Sequence, residues 1–229
     1  MSLIETNLNL IREKIKAAAL KAGRKEEVLL LAVTKTVGAP RVNEALALGI
    51  TAIGENRIQE AKIKFPDLQK GKVVYHLIGH LQSNKVRDAV KLFDLIQSVD
   101  SLELAGQIDK EAFKAGKVIP CLLEINIGGE LSKNGLEYGA AAAFMKETPK
   151  YKNLKFEGLM TIAPLTASPE EVRPLFKKMK ILYDGLKQTP AGSAFKYLSM
   201  GMSLDYEVAV EEGATLVRIG SAVFGERII

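Results

Sequence analysis

Short apolar runs rich in β-branched residues alternate along this chain with stretches whose apolar positions recur at helical spacing. The candidate strands are Leu29–Thr34, Ala52–Gly54, Val73–Ile78, Leu95–Ser98, Ile119–Asn126, Phe156–Thr161, Lys196–Ser199 and Thr215–Ile219. Several are continuously apolar, the pattern of parallel strands covered on both faces. Between them the helical period predicts Ala39–Leu48, Glu55–Lys64, Ser83–Lys91, Leu102–Ala115, Glu137–Glu147, Pro169–Lys187 and Leu204–Glu211. A further helix, about Thr6–Ala22, precedes the first strand and stops at Gly23, a residue suited to the left-handed end of a helix.

Local signals mark the boundaries. Ser168-Pro169-Glu170-Glu171 reads as a capped helix start with proline at the first position, and Asp100-Ser101-Leu102-Glu103 reads as a second capping box. Gly49, Gly71, Gly116 and Gly213 fall where helices should end before the next strand. No stretch rich in Gly, Ser and Pro divides the chain, so residues 1–229 read as a single domain. Eight β/α units predict a (β/α)8 TIM barrel, class α/β, with an extra N-terminal helix. The alternative is an open doubly wound sheet. That fold usually carries a glycine-rich turn after its first strand, and here the turn is Thr34-Lys35-Thr36-Val37-Gly38.

In a barrel, chemistry collects at the carboxyl ends of the strands. The first strand ends in Lys35, the second in Gly54-Glu55-Asn56-Arg57, and the third in Gly79-His80. The fifth leads to Asn126 and the loop Gly128-Gly129-Glu130-Leu131-Ser132-Lys133, and the seventh to Ser199-Met200-Gly201-Met202-Ser203. The eighth carries Arg218, followed by Gly220-Ser221. A lysine closing an apolar strand either snorkels to solvent or serves as a partly desolvated, imine-forming amine, and the segment alone leaves both open. Ser199, Gly201, Gly220 and Ser221 suit a phosphate, with Ser221–Phe224 as a short helix whose N-terminus faces it. Arg218 points either to an interior carboxylate or to a ligand in the barrel mouth. His76 and His80 stand in no metal-ligand spacing, so no metal is expected.

Composition narrows the picture. The 229 residues carry a net charge of +5, without a basic tract interleaved with aromatics, so nucleic acid is not expected. No run is long and apolar enough for a membrane helix, and the N-terminus lacks the form of a signal peptide. Cys121 is the only cysteine, which suits a reducing cytoplasm.

Six segments together carry a resemblance. They are Ala32-Val33-Thr34-Lys35; Gly54-Glu55-Asn56; His76 to Lys85; Gly158-Leu159-Met160; Leu198 to Ser203; and Val217 to Gly225. The chain resembles the pyridoxal phosphate homeostasis proteins, also called the proline synthase co-transcribed family, over nearly its whole length. The resemblance implies a fold-type III barrel like the N-terminal domain of alanine racemase, with pyridoxal 5′-phosphate (PLP) held as an imine on Lys35. It implies Arg218 facing the pyridine nitrogen and Asn56 beside the ring. It also implies Ser199, Gly220 and Ser221 at the phosphate, with backbone help near Met200 and Gly201. Tyr75 stands where Trp is frequent in that family and Leu77 where Phe is frequent, which bears on the lining of the mouth.

An arginine at the pyridine nitrogen disfavours its protonation and makes a weaker electron sink. Racemisation also needs acid/base groups on both faces of the substrate carbon. In alanine racemase the second group comes from another domain, and this sequence ends at Ile229, directly after the eighth unit. The expectation is therefore a cytoplasmic, monomeric PLP carrier that serves PLP-dependent apo-enzymes and has no catalytic residues. The alternative is a PLP-dependent amino-acid racemase or related enzyme. A sugar-phosphate enzyme on the same barrel is a third, weaker class. Lys133 is expected on the same rim as Lys35, as a solvated loop lysine or as an acceptor of PLP during release.

Overall fold

The computed structural model describes residues 1–69, 71–130 and 133–225. Lys70, Leu131, Ser132 and residues 226–229, which fall within the expected 1–229 span, lie outside the described residues. In chain order the elements begin with α1 (Leu3–Lys21), β1 (Leu29–Val33), α2 (Ala39–Ala47), β2 (Ala52–Glu55), α3 (Ile58–Lys64) and β3 (Val74–Leu77). There follow α4 (Val86–Leu92), β4 (Leu95–Val99), α5 (Leu102–Lys114), β5 (Ile119–Asn126), β6 (Leu136–Glu137) and α6 (Ala141–Glu147). The last six are β7 (Leu154–Met160), α7 (Arg173–Lys187), β8 (Tyr197–Ser199), α8 (Tyr206–Glu211), β9 (Leu216–Ile219) and α9 (Ser221–Phe224).

The strands pair in parallel in the order β1-β2-β3-β4-β5-β7-β8-β9, and β9 returns to β1 with Leu31 opposite Arg218. The result is the closed (β/α)8 barrel that the alternation predicts. The two-residue β6 attaches to β5 outside this ring. Within the strands, side chains alternate between the helical shell and the barrel interior. Ala32, Ile53, Leu77, Ile96, Leu123, Leu159, Leu198, Val217 and Ile219 belong to the large cluster packed against the helices. Leu31, Val33, Ala52 and Leu216, and separately Leu95, Leu122 and Met160, form smaller clusters inside.

The interior changes character along the strands. One inward step further on, Leu95 gives way to Gln97, Leu122 to Glu124, Tyr197 to Ser199, and Leu216 to Arg218. All four of these polar residues are buried. The barrel is thus an apolar plug below a polar layer that faces the carboxyl-end rim.

Several expected boundaries shift by a few residues, and the one at Glu55 changes the residue's role. Glu55 closes β2 instead of opening a helix, and α3 begins at Ile58. Burial explains the change, since Glu55 is fully enclosed between the barrel wall and α3, where its carboxylate accepts from Lys64 and Thr34. Ser168 forms the complete capping box with Glu171, whereas Ser101 caps Leu104 N–H alone, because Leu104 and not an acidic residue occupies the third helical position. Helix α1 packs on α8 and α9, fixed by Lys14–Glu207 and Lys21–Glu211 pairs. No helix among the described residues is long and apolar enough to cross a membrane.

Candidate functional site

A cavity of about 460 Å³ opens at the carboxyl-end rim. Val33, Lys35, Arg218, Gly220 and Ser221 line one side, and Ile162 to Ala167 line another. Met202 to Asp205, Lys133 and Pro169 complete it. Lys35 enters from the end of β1, half-buried, in a turn closed by the Val37 N–H donating to Thr34 O at 3.0 Å. Of the residues the sequence singled out, Lys35, Arg218, Gly220 and Ser221 meet in this one space.

Arg218 is the floor of the cavity and is 3% exposed. Its Nη1 donates to Ser199 Oγ at 2.7 Å, and its Nη2 donates to Thr161 O at 2.7 Å. Ser199 Oγ donates in turn to Gln97 Oε1 at 2.6 Å, and Gln97 Nε2 lies 2.8 Å from His76 Nδ1. The relay crosses the barrel from β9 to β3. Burial pushes His76 down to about 3, so at neutral pH the ring is uncharged and Nδ1 accepts from the Gln97 amide. Burial also lowers Arg218, to about 10, against the opposing pull of Glu124 and Asp205. Glu124, on the interior face of β5, is raised to about 7 by burial and by Asp100, with Arg218 opposing. Its Oε2 has no hydrogen-bond partner.

The remaining expected residues sit elsewhere. Ser199 is fully buried beneath the cavity, with its hydroxyl committed to Arg218 and Gln97. Met200 is fully buried in the outer core. Gly201 adopts φ 91°, and its carbonyl accepts from Arg218 N–H at 3.0 Å. A Cβ there would meet Ala209 Cβ at 2.5 Å, so glycine permits the tight bend of this loop against α8. Asn56 lines a neighbouring rim cleft of about 370 Å³ with Arg57, Gly79, His80 and Lys85.

Ser203, Asp205 and Gln97 were not foreseen. Ser203 Oγ accepts from Gly220 N–H and Ala222 N–H, both at 3.3 Å, and so occupies the donor groups that open α9. That helix is anchored from outside by Asn7 Nδ2 donating to Val223 O and by Arg41 donating to Phe224 O. Asp205 Oδ1 accepts from Met202 N–H at 2.6 Å, and burial raises its pKa. Among the described residues, Lys35, Lys133 and Arg218 face the cavity against the single carboxylate of Asp205. The stretch Ser199-Met200-Gly201-Met202-Ser203 does not by itself tell which hydroxyl reaches the helix end. No cluster of metal-ligating residues exists among the described residues.

A family model for the alanine racemase N-terminal domain matches residues 6–228. Fold and site together therefore define a (β/α)8 barrel of the alanine racemase N-terminal kind. The "Pyridoxal phosphate homeostasis protein" of Aquifex aeolicus is 43% identical over 221 residues, covering 96% of each chain. The chain belongs to the pyridoxal phosphate homeostasis protein family. Two structures of PipY from Synechococcus elongatus are also similar. The form without PLP aligns at TM-score 0.88 and 35% identity over 97% of this chain and 100% of that one. The form with PLP bound aligns at TM-score 0.81 and 36% identity over 94% and 100%.

Proposed function

We propose that this chain binds PLP as a Schiff base on Lys35 and serves intracellular PLP homeostasis and delivery without efficient catalytic turnover. The observation that carries the reading is the meeting of Lys35 and the buried Arg218 in one rim cavity beside the opening of α9. The names of the relatives and the PLP-bound neighbour support it.

The residues fit the group. An excess of cationic side chains suits a phosphate ester, and the apolar wall of Val33, Ile162, Ala163 and Pro164 suits an aromatic ring. The phosphate end would be formed by the Ser203 and Ser221 hydroxyls, with Ser203 held in place by the Gly220 and Ala222 N–H groups. Arg218, held by Ser199 and Thr161, would face the pyridine nitrogen, and Asn56, which lines the neighbouring cleft, would approach the ring from that side. Gly201 and Met200 shape the loop that carries Ser203. Ser199 thus serves the reading through Arg218. Lys35 would supply the amine that holds the aldehyde of the cofactor, with loss of water. When bound, PLP supplies an electron-withdrawing ring, and an arginine at its nitrogen keeps that ring unprotonated.

Absence of turnover rests on the proton-moving groups in the cavity. Among the described residues lining it there is no Tyr, Cys or His. Asp205 is tied to Met202 N–H, and Lys133 Nζ lies 2.7 Å from Glu130 Oε1. We read this lining as short of a second acid/base group to work opposite Lys35. The reading takes the protein as a cytoplasmic monomer that hands PLP to apo-enzymes. Incubating the PLP-loaded protein with a PLP-dependent apo-enzyme should restore that enzyme's activity, while amino acids in heavy water should keep their α-protons. Exchange at enzymatic rates would instead establish the racemase alternative.

A further inference from the structure

Lys35 sits in an unusual turn. Val37 N–H donates to Thr34 O, so Thr36 is the third residue of a four-residue turn, and its φ is 63°. Glycine or asparagine is the usual residue at a positive φ in such a turn, whereas a β-branched residue there is an outlier. Thr36 is the only described non-glycine residue with positive φ. Such a conformation persists where its surroundings over-determine it.

The surroundings are a buried ionic cluster between the barrel wall and α3. Lys64, 7% exposed, donates to Glu55 Oε1 at 2.6 Å, to Glu60 Oε1 at 2.8 Å and to Thr34 O at 2.6 Å. Thr34 Oγ1 donates to Glu55 Oε1 at 2.6 Å. Thr36 N–H donates to the same Glu60 oxygen, and Thr36 Oγ1 donates to Lys35 O at 2.6 Å. One ammonium therefore grips the carbonyl before Lys35, and through Glu60 it also grips the amide after it. A lysine that merely anchored α3 would need neither backbone contact.

We infer that Lys64, Glu60 and Glu55 are positioning residues for Lys35: they hold the strained Thr36 turn that aims the Lys35 amine into the cavity. The inference rests on the proposed role of Lys35 and adds how the amine is placed. Gripping both flanking peptide groups fixes the direction in which the side chain leaves the backbone. A relaxed Thr36 would move its peptide out of the left-handed region and re-aim the stem.

The test uses the full chain as wild type, Glu60→Ala, Thr36→Gly and the double variant. Glu60 is the variant of choice because it is only partly buried and Lys64 keeps Glu55 as partner. Two readouts are taken: amide hydrogen exchange at residues 34–37 without PLP, and PLP titration followed by the visible absorbance of the Lys35 imine. Glu60→Ala should speed Thr36 exchange and weaken imine formation, each by about tenfold, the factor set by the cost of a left-handed residue bearing a Cβ. In the Thr36→Gly background, where positive φ is unstrained, the same substitution should change imine formation less than about twofold. Lys64→Met, checked for folding by denaturation, should repeat the pattern. Unchanged exchange and affinity in Glu60→Ala would overturn the inference, as would an equal loss in both backgrounds. A wild-type protein that forms no imine at Lys35 would overturn the PLP reading instead, and the exchange data would still decide the clamp.

Discussion

Ser199→Ala deletes a single buried hydroxyl that links the Arg218 guanidinium to Gln97. Ser199 and Gln97 are fully buried and Arg218 is 3% exposed, so water cannot replace the lost group without rearrangement. The bond from Arg218 Nη1, at 2.7 Å, is charge-assisted, and the bond to Gln97 Oε1, at 2.6 Å, is neutral. Leaving a charged donor and a neutral acceptor unsatisfied costs together about 3 kcal/mol, roughly a hundredfold in the folding equilibrium. Urea denaturation without PLP should show that loss. On the proposed reading the residue acts through Arg218 at the ring, so binding of PLP and of pyridoxal, which lacks the phosphate, should weaken to equal extents. A stability loss below about 1 kcal/mol would refute the reasoning. So would a binding loss confined to PLP, which would put the hydroxyl at the phosphate.

Glu124→Gln tests the buried acid. Because its pKa is raised from 4.5 to about 7, the folded state binds its proton more tightly, and the wild type loses stability as pH rises through that window. Relative to the Gln variant it should lose at most about 3 kcal/mol between about pH 4 and 8, by denaturation at each pH; a pH-independent difference would contradict this. Gly158→Ala places a Cβ 1.8 Å from Tyr197 O at φ 152°, and should cost more than about 3 kcal/mol or abolish soluble protein; a melting temperature near that of the wild type would contradict the packing described. Lys35→Ala should keep the wild-type denaturation profile within about 1 kcal/mol and lose the visible absorbance of PLP-loaded protein; retained absorbance would place the imine on another amine.

The barrel was legible because eight apolar runs separated by helical periods leave few topologies, and the short helix Ser221–Phe224 was legible from its Gly-Ser start. Lys35, Arg218, Gly220 and Ser221 were legible because strand ends converge once the barrel closes. The Arg218–Ser199–Gln97–His76 relay was not, because it joins residues on four strands whose inward registers only closure fixes. Ser199 closes β8, where the pleat turns it into the barrel, whereas Ser203 lies in the loop beyond, and the bend at Gly201 carries it towards α9. Glu55 reads as a helix start because its charge suggests solvent; the Lys64 ammonium that permits its burial lies a helix away. The left-handed Thr36 leaves no trace in the sequence, since threonine is the residue that position ordinarily rejects.

The central claim is that Lys35 is the amine that holds PLP. Borohydride reduction of the PLP-loaded protein, followed by digestion and mass spectrometry, tests it most directly, since reduction converts an imine into a stable amine at the residue that formed it. The account predicts a single pyridoxyl label on Lys35, absent in Lys35→Ala. A label on Lys133 at equal or greater yield, or no label on either lysine, would contradict it.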